Sequence, residues 1–157
     1  MKIKKIVFVL MLFLMIACEE EGVFYHKQIE IKDHIWRSEK PISFEFTIND
    51  TVKQYDFILL LRTTDAYPWS NIFIFTELKA PDYHFPVKDT VEFYLADKYG
   101  NWKGENTGNT IVHNNLFLYK ATRFPVKGDY TFTIHQAMRD FSLEEIMDIG
   151  LKIIEHE

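Results

Sequence analysis

Apolar and polar residues alternate through most of this chain. In PISFEFTIND, residues 41–50, Ile42, Phe44, Phe46 and Ile48 share one face, and Ser43, Glu45, Thr47 and Asn49 share the other. Period two of this kind predicts a strand with one side in a core and one side in water. DTVEFYLAD repeats it with Val91, Phe93 and Leu95, and GDYTFTIHQ with Tyr130, Phe132 and Ile134. YDFILLLRTT and NIFIFTEL are apolar on both faces and predict strands in the interior of a sheet. NNLFLYKATRF and IGLKII are further strands, and QIEIKD reads as an edge strand. Turn signals separate them at Asn49-Asp50, Tyr67-Pro68, Ala80-Pro81, Gly100-Asn101, Phe124-Pro125 and Lys127-Gly128. About seven or eight short strands with such turns predict an all-β fold, a single antiparallel β-sandwich of jelly-roll or immunoglobulin type over residues 23–157. Helix is predicted in one place only: SLEE, with Ser142 as N-cap and Glu145 three residues on, fits a capping box opening a single turn.

The N-terminus breaks this pattern. MKIKK carries three lysines and no acid, and IVFVLMLFLMIA adds twelve apolar residues with no polar face at helical spacing. That is the charged and hydrophobic layout of a secretory signal, and it is shorter than the roughly 20 residues a bilayer span needs. Met15-Ile16-Ala17-Cys18 resembles a bacterial lipobox, with Met where Leu is preferred, and Cys18 is the single cysteine of the chain. A signal peptide over 1–17, a lipidated Cys18 with an acidic tether over 18–22, and a domain over 23–157 follow. A thiol at the membrane surface would take a diacylglycerol, and the amine freed by cleavage would be acylated, since more than one chain is needed for firm anchoring. Glu19, Glu20 and Glu21 read either as a solvated linker or as an export signal, because acids just after a lipidated cysteine resemble the surface-export signal of Bacteroidota lipoproteins.

All 23 acidic residues lie beyond Cys18 and three of the 18 basic ones before it, so the net charge of −5 for the whole chain becomes −8 for the segment that starts at the cysteine. That sign argues against nucleic acid and anionic lipid as partners. No second cysteine exists for a disulfide, so the fold must rest on its core.

The chemistry-bearing residues do not assemble into a catalytic motif. The six histidines are scattered without metal-ligand spacing, no serine sits in a GxSxG elbow, and there is no Gly-rich phosphate loop. No cofactor, metal or catalytic residue is assigned. In LADKYGNWKGENTGNT, Asp97, Asn101, Glu105 and Asn106 could offer oxygens to Ca²⁺, but the spacing is not that of an EF-hand. A hairpin loop is the better reading, with Gly100, Gly104 and Gly108 supplying positive φ. Trp36 suits a core, whereas Trp69 after Pro68 and Trp102 in the glycine-rich loop are better placed for exposure and contact. Asp50-Thr51-Val52 and Asp89-Thr90-Val91 resemble the acceptor sequence for periplasmic O-glycosylation in Bacteroidota, which would modify Thr51 and Thr90.

Taken in order, the lipobox cysteine, YPWSNIFIF, LADKYGNWKGENTG and GDYTFTIHQAMRDFSLEEIMDIGLKI resemble the gliding-motility lipoprotein family GldH of Bacteroidota. The resemblance covers nearly the whole segment after the cysteine. It implies an outer-membrane lipoprotein, lipid-anchored on a side not determined, that supports gliding and the associated type IX secretion machinery. It implies protein partners there and no enzyme activity. The rival is a surface glycan-binding lipoprotein. Within the last motif, Gln136, Met138 and Arg139 sit where a strand ends, with Arg139 expected to be partly buried and paired to Asp140 or Asp148. This corner either closes the sandwich or docks a partner. Gly150 within the last strand would permit a bulge or a close backbone approach.

Overall fold

The computed structural model describes residues 22–82, 86–108 and 111–157. The signal segment, Cys18 and Glu19–Glu21 lie outside them. Among the described residues, eight strands of seven residues or more carry the fold. They are β1 (Val23–Glu30), β3 (Ile42–Ile48), β4 (Gln54–Thr64), β5 (Asn71–Lys79), β6 (Val87–Tyr94), β8 (Ile111–Arg123), β9 (Gly128–Gln136) and β11 (Ile146–Glu155). Three short strands join them: β2 (Trp36–Arg37), β7 (Glu105–Thr107) and β10 (Ser142–Leu143).

A five-stranded sheet has the order β1-β11-β4-β8-β7, a four-stranded sheet the order β3-β9-β5-β6, and β10 pairs with β2. Every pairing is antiparallel. Counting the eight long strands alone, the sheets read first-eighth-third-sixth and second-seventh-fourth-fifth. That nested exchange between two sheets is the jelly roll rather than the immunoglobulin order. Sequence alternation cannot separate the two, because both ask for the same strands and differ only in which distant strands pair.

The sandwich closes on aromatic rings from both sheets. Phe57 of β4 meets Phe46 of β3 at 6.1 Å and Phe132 of β9 at 5.4 Å, and Phe124 stands edge-on to Tyr130 at 4.7 Å. Ile42, Phe44, Phe46 and Ile48 are all buried while Ser43, Glu45 and Thr47 face solvent, as the alternation requires. β4 and β5 lie inside their sheets, as their two apolar faces predict. Ile58 shows why: it points outward yet is only 8% exposed, covered by its cross-strand neighbours Lys152 and Phe117.

Two local readings are corrected. Ser142 opens no helical turn. It pairs with Arg37, and Leu143 with Trp36, while Glu145 takes φ 66° and its carboxylate accepts the Thr64 hydroxyl at 2.5 Å. A one-turn helix has a costly nucleus and no propagation to repay it, so pairing under the buried Trp36 wins. Gly104 also differs: it is not among the positive-φ glycines, whereas Gly100 (φ 87°) and Gly108 (φ 69°) are. A Cβ on Gly104 would stand 2.5 Å from the carbonyl oxygen of His113, so its role is close approach to β8.

Candidate functional site

Two of the sequence pieces that looked distinctive, YPWSN and QAMRD, meet at one end of the sandwich. β4 ends at Thr64, whose hydroxyl accepts the Ala66 amide at 3.2 Å, and the chain turns through Tyr67, Pro68 and Trp69 into β5. The Ser70 carbonyl then accepts the amides of Leu95 and Ala96, tying this turn to the end of β6. From the other side β9 ends at Gln136, and the Ala137 amide donates to the Phe73 carbonyl at 2.8 Å. Trp69, Asn71, Phe73, Ala137, Met138, Arg139 and Asp140 thus line a hollow of ≈ 610 Å³.

Gln136 holds this corner. It is 4% exposed, and its amide nitrogen donates to the carbonyls of Asp140 (2.8 Å) and Phe141 (3.3 Å) while its oxygen accepts the Met138 amide at 2.9 Å. Met138 sulfur lies 3.3 Å from the Phe73 amide as an acceptor. Beneath them Tyr67 is buried and donates to the Asn71 carbonyl at 3.3 Å. Burial, reinforced by the nearby Asp140 charge, pushes its hydroxyl above the usual tyrosine range, so it stays neutral. The rigid floor therefore presents an exposed Trp69 (43%), a half-buried Phe73 and Met138, and an exposed Arg139 and Asp140. Trp, Met, Phe and Arg are the residue types that concentrate binding energy at protein contacts.

Arg139 is a correction. It is solvent-exposed at the rim, and Asp148 pairs elsewhere: it accepts Arg62 Nε at 2.5 Å and Gln28 Nε2 at 2.6 Å and is 3% exposed. β11 sets Asp148 opposite Arg62 in strand register, while Arg139 stands in a bend beyond the other sheet. Sequence reasoning missed Arg62 because 86 residues separate the pair. The other sequence candidates are dispersed. Trp36 is core and Trp102 is half-buried beside Tyr67, at 6.4 Å between rings. Thr90 is exposed on β6, an edge strand of the four-stranded sheet, whereas Thr51 is half-buried in a bend.

The glycine-rich loop is held by Asp97. Its carboxylate accepts the Tyr99 amide, the Asn101 amide and the Asn101 side chain, at 2.8, 2.9 and 3.0 Å. The Asn101 side chain first, then its amide, hold this carboxyl below the usual range. Glu105 and Asn106 stand apart on β7. Among the described residues no three or more of His, Cys, Asp or Glu are grouped to hold a metal ion.

Fold and corner together define a jelly-roll sandwich that presents an aromatic hollow at one end. A family model described as GldH lipoprotein matches residues 23–153, and the chain belongs to that family. It is 28% identical over 154 residues to "Gliding motility lipoprotein GldH homolog" of Christiangramia forsetii, covering 94% of this chain and 92% of that one. It is 27% identical over 147 residues to "Gliding motility lipoprotein GldH" of Flavobacterium johnsoniae, covering 89% of each. Among solved structures, the infectious bursal disease virus VP2 subviral particle is similar over 90% of this chain and 37% of that one, at 13% identity and a TM-score of 0.33, too distant to carry an argument.

Proposed function

We propose that this chain is an outer-membrane lipoprotein, anchored through acylated Cys18, that supports gliding motility and the associated type IX secretion machinery by docking a protein partner, without catalysis. The observation that carries the docking part is the Trp69–Phe73–Met138–Arg139 hollow: apolar at its centre, charged at its rim, and braced from below by Gln136 and Tyr67. The relatives' names supply the process, and the lipobox supplies the anchor.

The test is complementation in a gliding relative whose own copy is deleted. Trp69→Ala/Met138→Ala should leave the protein level unchanged and abolish colony spreading and secretion. A photo-crosslinking residue at Arg139 should trap a discrete protein, while one at Glu45, exposed on β3, should not. Full motility and secretion by the double variant, or hydrolase turnover that vanishes with one carboxylate, would overturn the reading.

A further inference from the structure

The sandwich is closed along one side and open along the other. On the closed side β1 meets β3, where the rings of Phe24 and Tyr25 pack on Phe46. On the open side β7 covers β8 only over Ile111–His113, and β6 pairs with β5 alone among the described residues. The rest of β8 and the whole of β6 therefore border a gap between the sheets. A hollow of ≈ 240 Å³ lies in that gap. Phe57 and Phe132, both buried, form its back wall, and Leu78, Val87 and Tyr119 form its sides. Val87 is 66% exposed although it shares a register position with Leu78, which marks it as the lip of the gap.

One residue on this lip breaks the alternation. Val87, Asp89, Val91 and Phe93 of β6 stand opposite Leu78, Thr76, Ile74 and Ile72 of β5, and the last three of these are buried, so all four β6 positions turn toward the core. The others are apolar, and Asp89 is a carboxylate, exposed at the mouth of the hollow. Two hydroxyls converge on it. Tyr119 of β8 donates to Asp89 Oδ2 at 3.3 Å and lies 2.7 Å from the hydroxyl of Thr76, a residue 2% exposed. Burial pushes the Tyr119 hydroxyl above its usual range, so it remains a donor. The other Asp89 oxygen accepts the Thr90 amide at 2.7 Å. These neutral donors orient the carboxylate and leave its charge unbalanced. Lys88 gives its ammonium to Glu77 at 2.7 Å, and Asp89 stands in no ion pair among the described residues. A carboxylate offers about four acceptor positions, so the two contacts do not fill it.

We propose that this hollow binds a small organic ammonium, an amine head on a compact apolar body. The body fills the space in front of Phe57 and Phe132, and the ammonium rests on Asp89 at the lip. An apolar hollow with a few convergent polar groups is the common form of a ligand site, and this one is smaller than the roughly 300–1,000 Å³ of drug-sized sites, which limits the body to about one ring or a short alkyl chain. A neutral alcohol of the same shape fits the walls and leaves the Asp89 charge unbalanced, and an anion meets that charge directly. The site is distinct from the docking corner. It lies between the sheets rather than at the end of the sandwich, and the two hollows share no residue.

The experiment titrates the full chain, in a non-ionic detergent, with 2-phenylethylammonium, 2-phenylethanol and 3-phenylpropionate, and follows binding by calorimetry. The ammonium should bind, the alcohol at least about tenfold more weakly, and the carboxylate more weakly still. Asp89→Asn should weaken the ammonium about tenfold and leave the alcohol unchanged, so that the two bind alike. That loss of preference is specific to charge recognition, since a general loosening of the hollow would weaken both probes. Glu45→Gln, which removes a carboxylate on the outer face of β3, and Trp69→Ala should bind all three probes as the unaltered protein does. Absence of ammonium binding at about 10 mM, equal binding of the alcohol by the unaltered chain, or an ammonium preference that survives Asp89→Asn would overturn the proposal.

Discussion

Replacing Arg62 by methionine tests the register-built ion pair on β4 and β11. Methionine keeps much of the apolar stem and removes the guanidinium. What remains is an Asp148 carboxylate 3% exposed, with Gln28 as its remaining side-chain donor. Removing one partner of a fully buried pair costs about 3–5 kcal/mol, because the other charge is left desolvated. The Arg62 side chain is 36% exposed, so water recovers part of that loss. The expected cost is about 2–3 kcal/mol, which at this chain length lowers the melting temperature by roughly 6–9 °C.

Thermal and urea unfolding followed by circular dichroism measure this directly. The sharper assay is the cycle with Asp148→Leu. Because the damage lies in the orphaned carboxylate, Arg62→Met/Asp148→Leu should be more stable than Arg62→Met, with a coupling of at least about 1.5 kcal/mol. Arg139→Ala is the contrasting control, at a rim position with water on its guanidinium, and should stay within about 0.5 kcal/mol of the unaltered protein. An Arg62→Met cost below about 0.5 kcal/mol, or additive single effects in the double variant, would refute the pairing argument.

Gly150→Ala should cost about 1–3 kcal/mol by urea unfolding, since its methyl group meets the Lys27 carbonyl and pushes Gln28 off Asp148. Gln136→Ala should cost about 1–3 kcal/mol, because two backbone carbonyls and one amide lose their buried partner. Burial alone would raise the Asp56 carboxyl, but the Ala121 amide and the His156 ring, each at 2.8 Å, hold it below its usual value. Its contribution is therefore present above the unfolded aspartate value and lost as pH falls through the lower folded one, so Asp56→Asn should flatten the acid limb of the stability curve. Cys18→Ser should abolish incorporation of a fatty-acid probe in cells, and equal labelling of the variant would sink the anchor.

What the sequence displays is what a single strand can display. β3 and β9 were readable because one side of each faces water and the other a core, so Phe44 and Glu45 differ in kind. β8 was read from Asn114 onward, yet it begins at Ile111. Its outward His113 and Asn115 stand inside a sheet where polar residues normally signal a turn. Ser142 and Glu145 satisfy a local rule that tertiary pairing with Trp36 and Thr64 overrides. The corner was half legible. Pro68 and the bend after Gln136 marked Trp69 and Arg139 as surface positions, but that they share one hollow depends on β5 lying beside β9. The Arg62–Asp148 pair left no local signal, since it forms only when β4 and β11 are in register.

The tether adds a geometric constraint on the proposed roles. Three residues, Glu19 to Glu21, separate Cys18 from Gly22, a reach of at most about 14 Å over four Cα–Cα steps. The Gly22 carbonyl accepts the Glu155 amide at 2.9 Å, so an anchor at Cys18 would hold the end of the sandwich where β1 starts, β11 ends and β4 begins. β4 runs eleven residues from there to Thr64, about 35 Å of strand. Pro68 and Trp69 lie a turn beyond Thr64, so with Cys18 in the membrane the proposed docking corner would stand at the far end, away from the lipid.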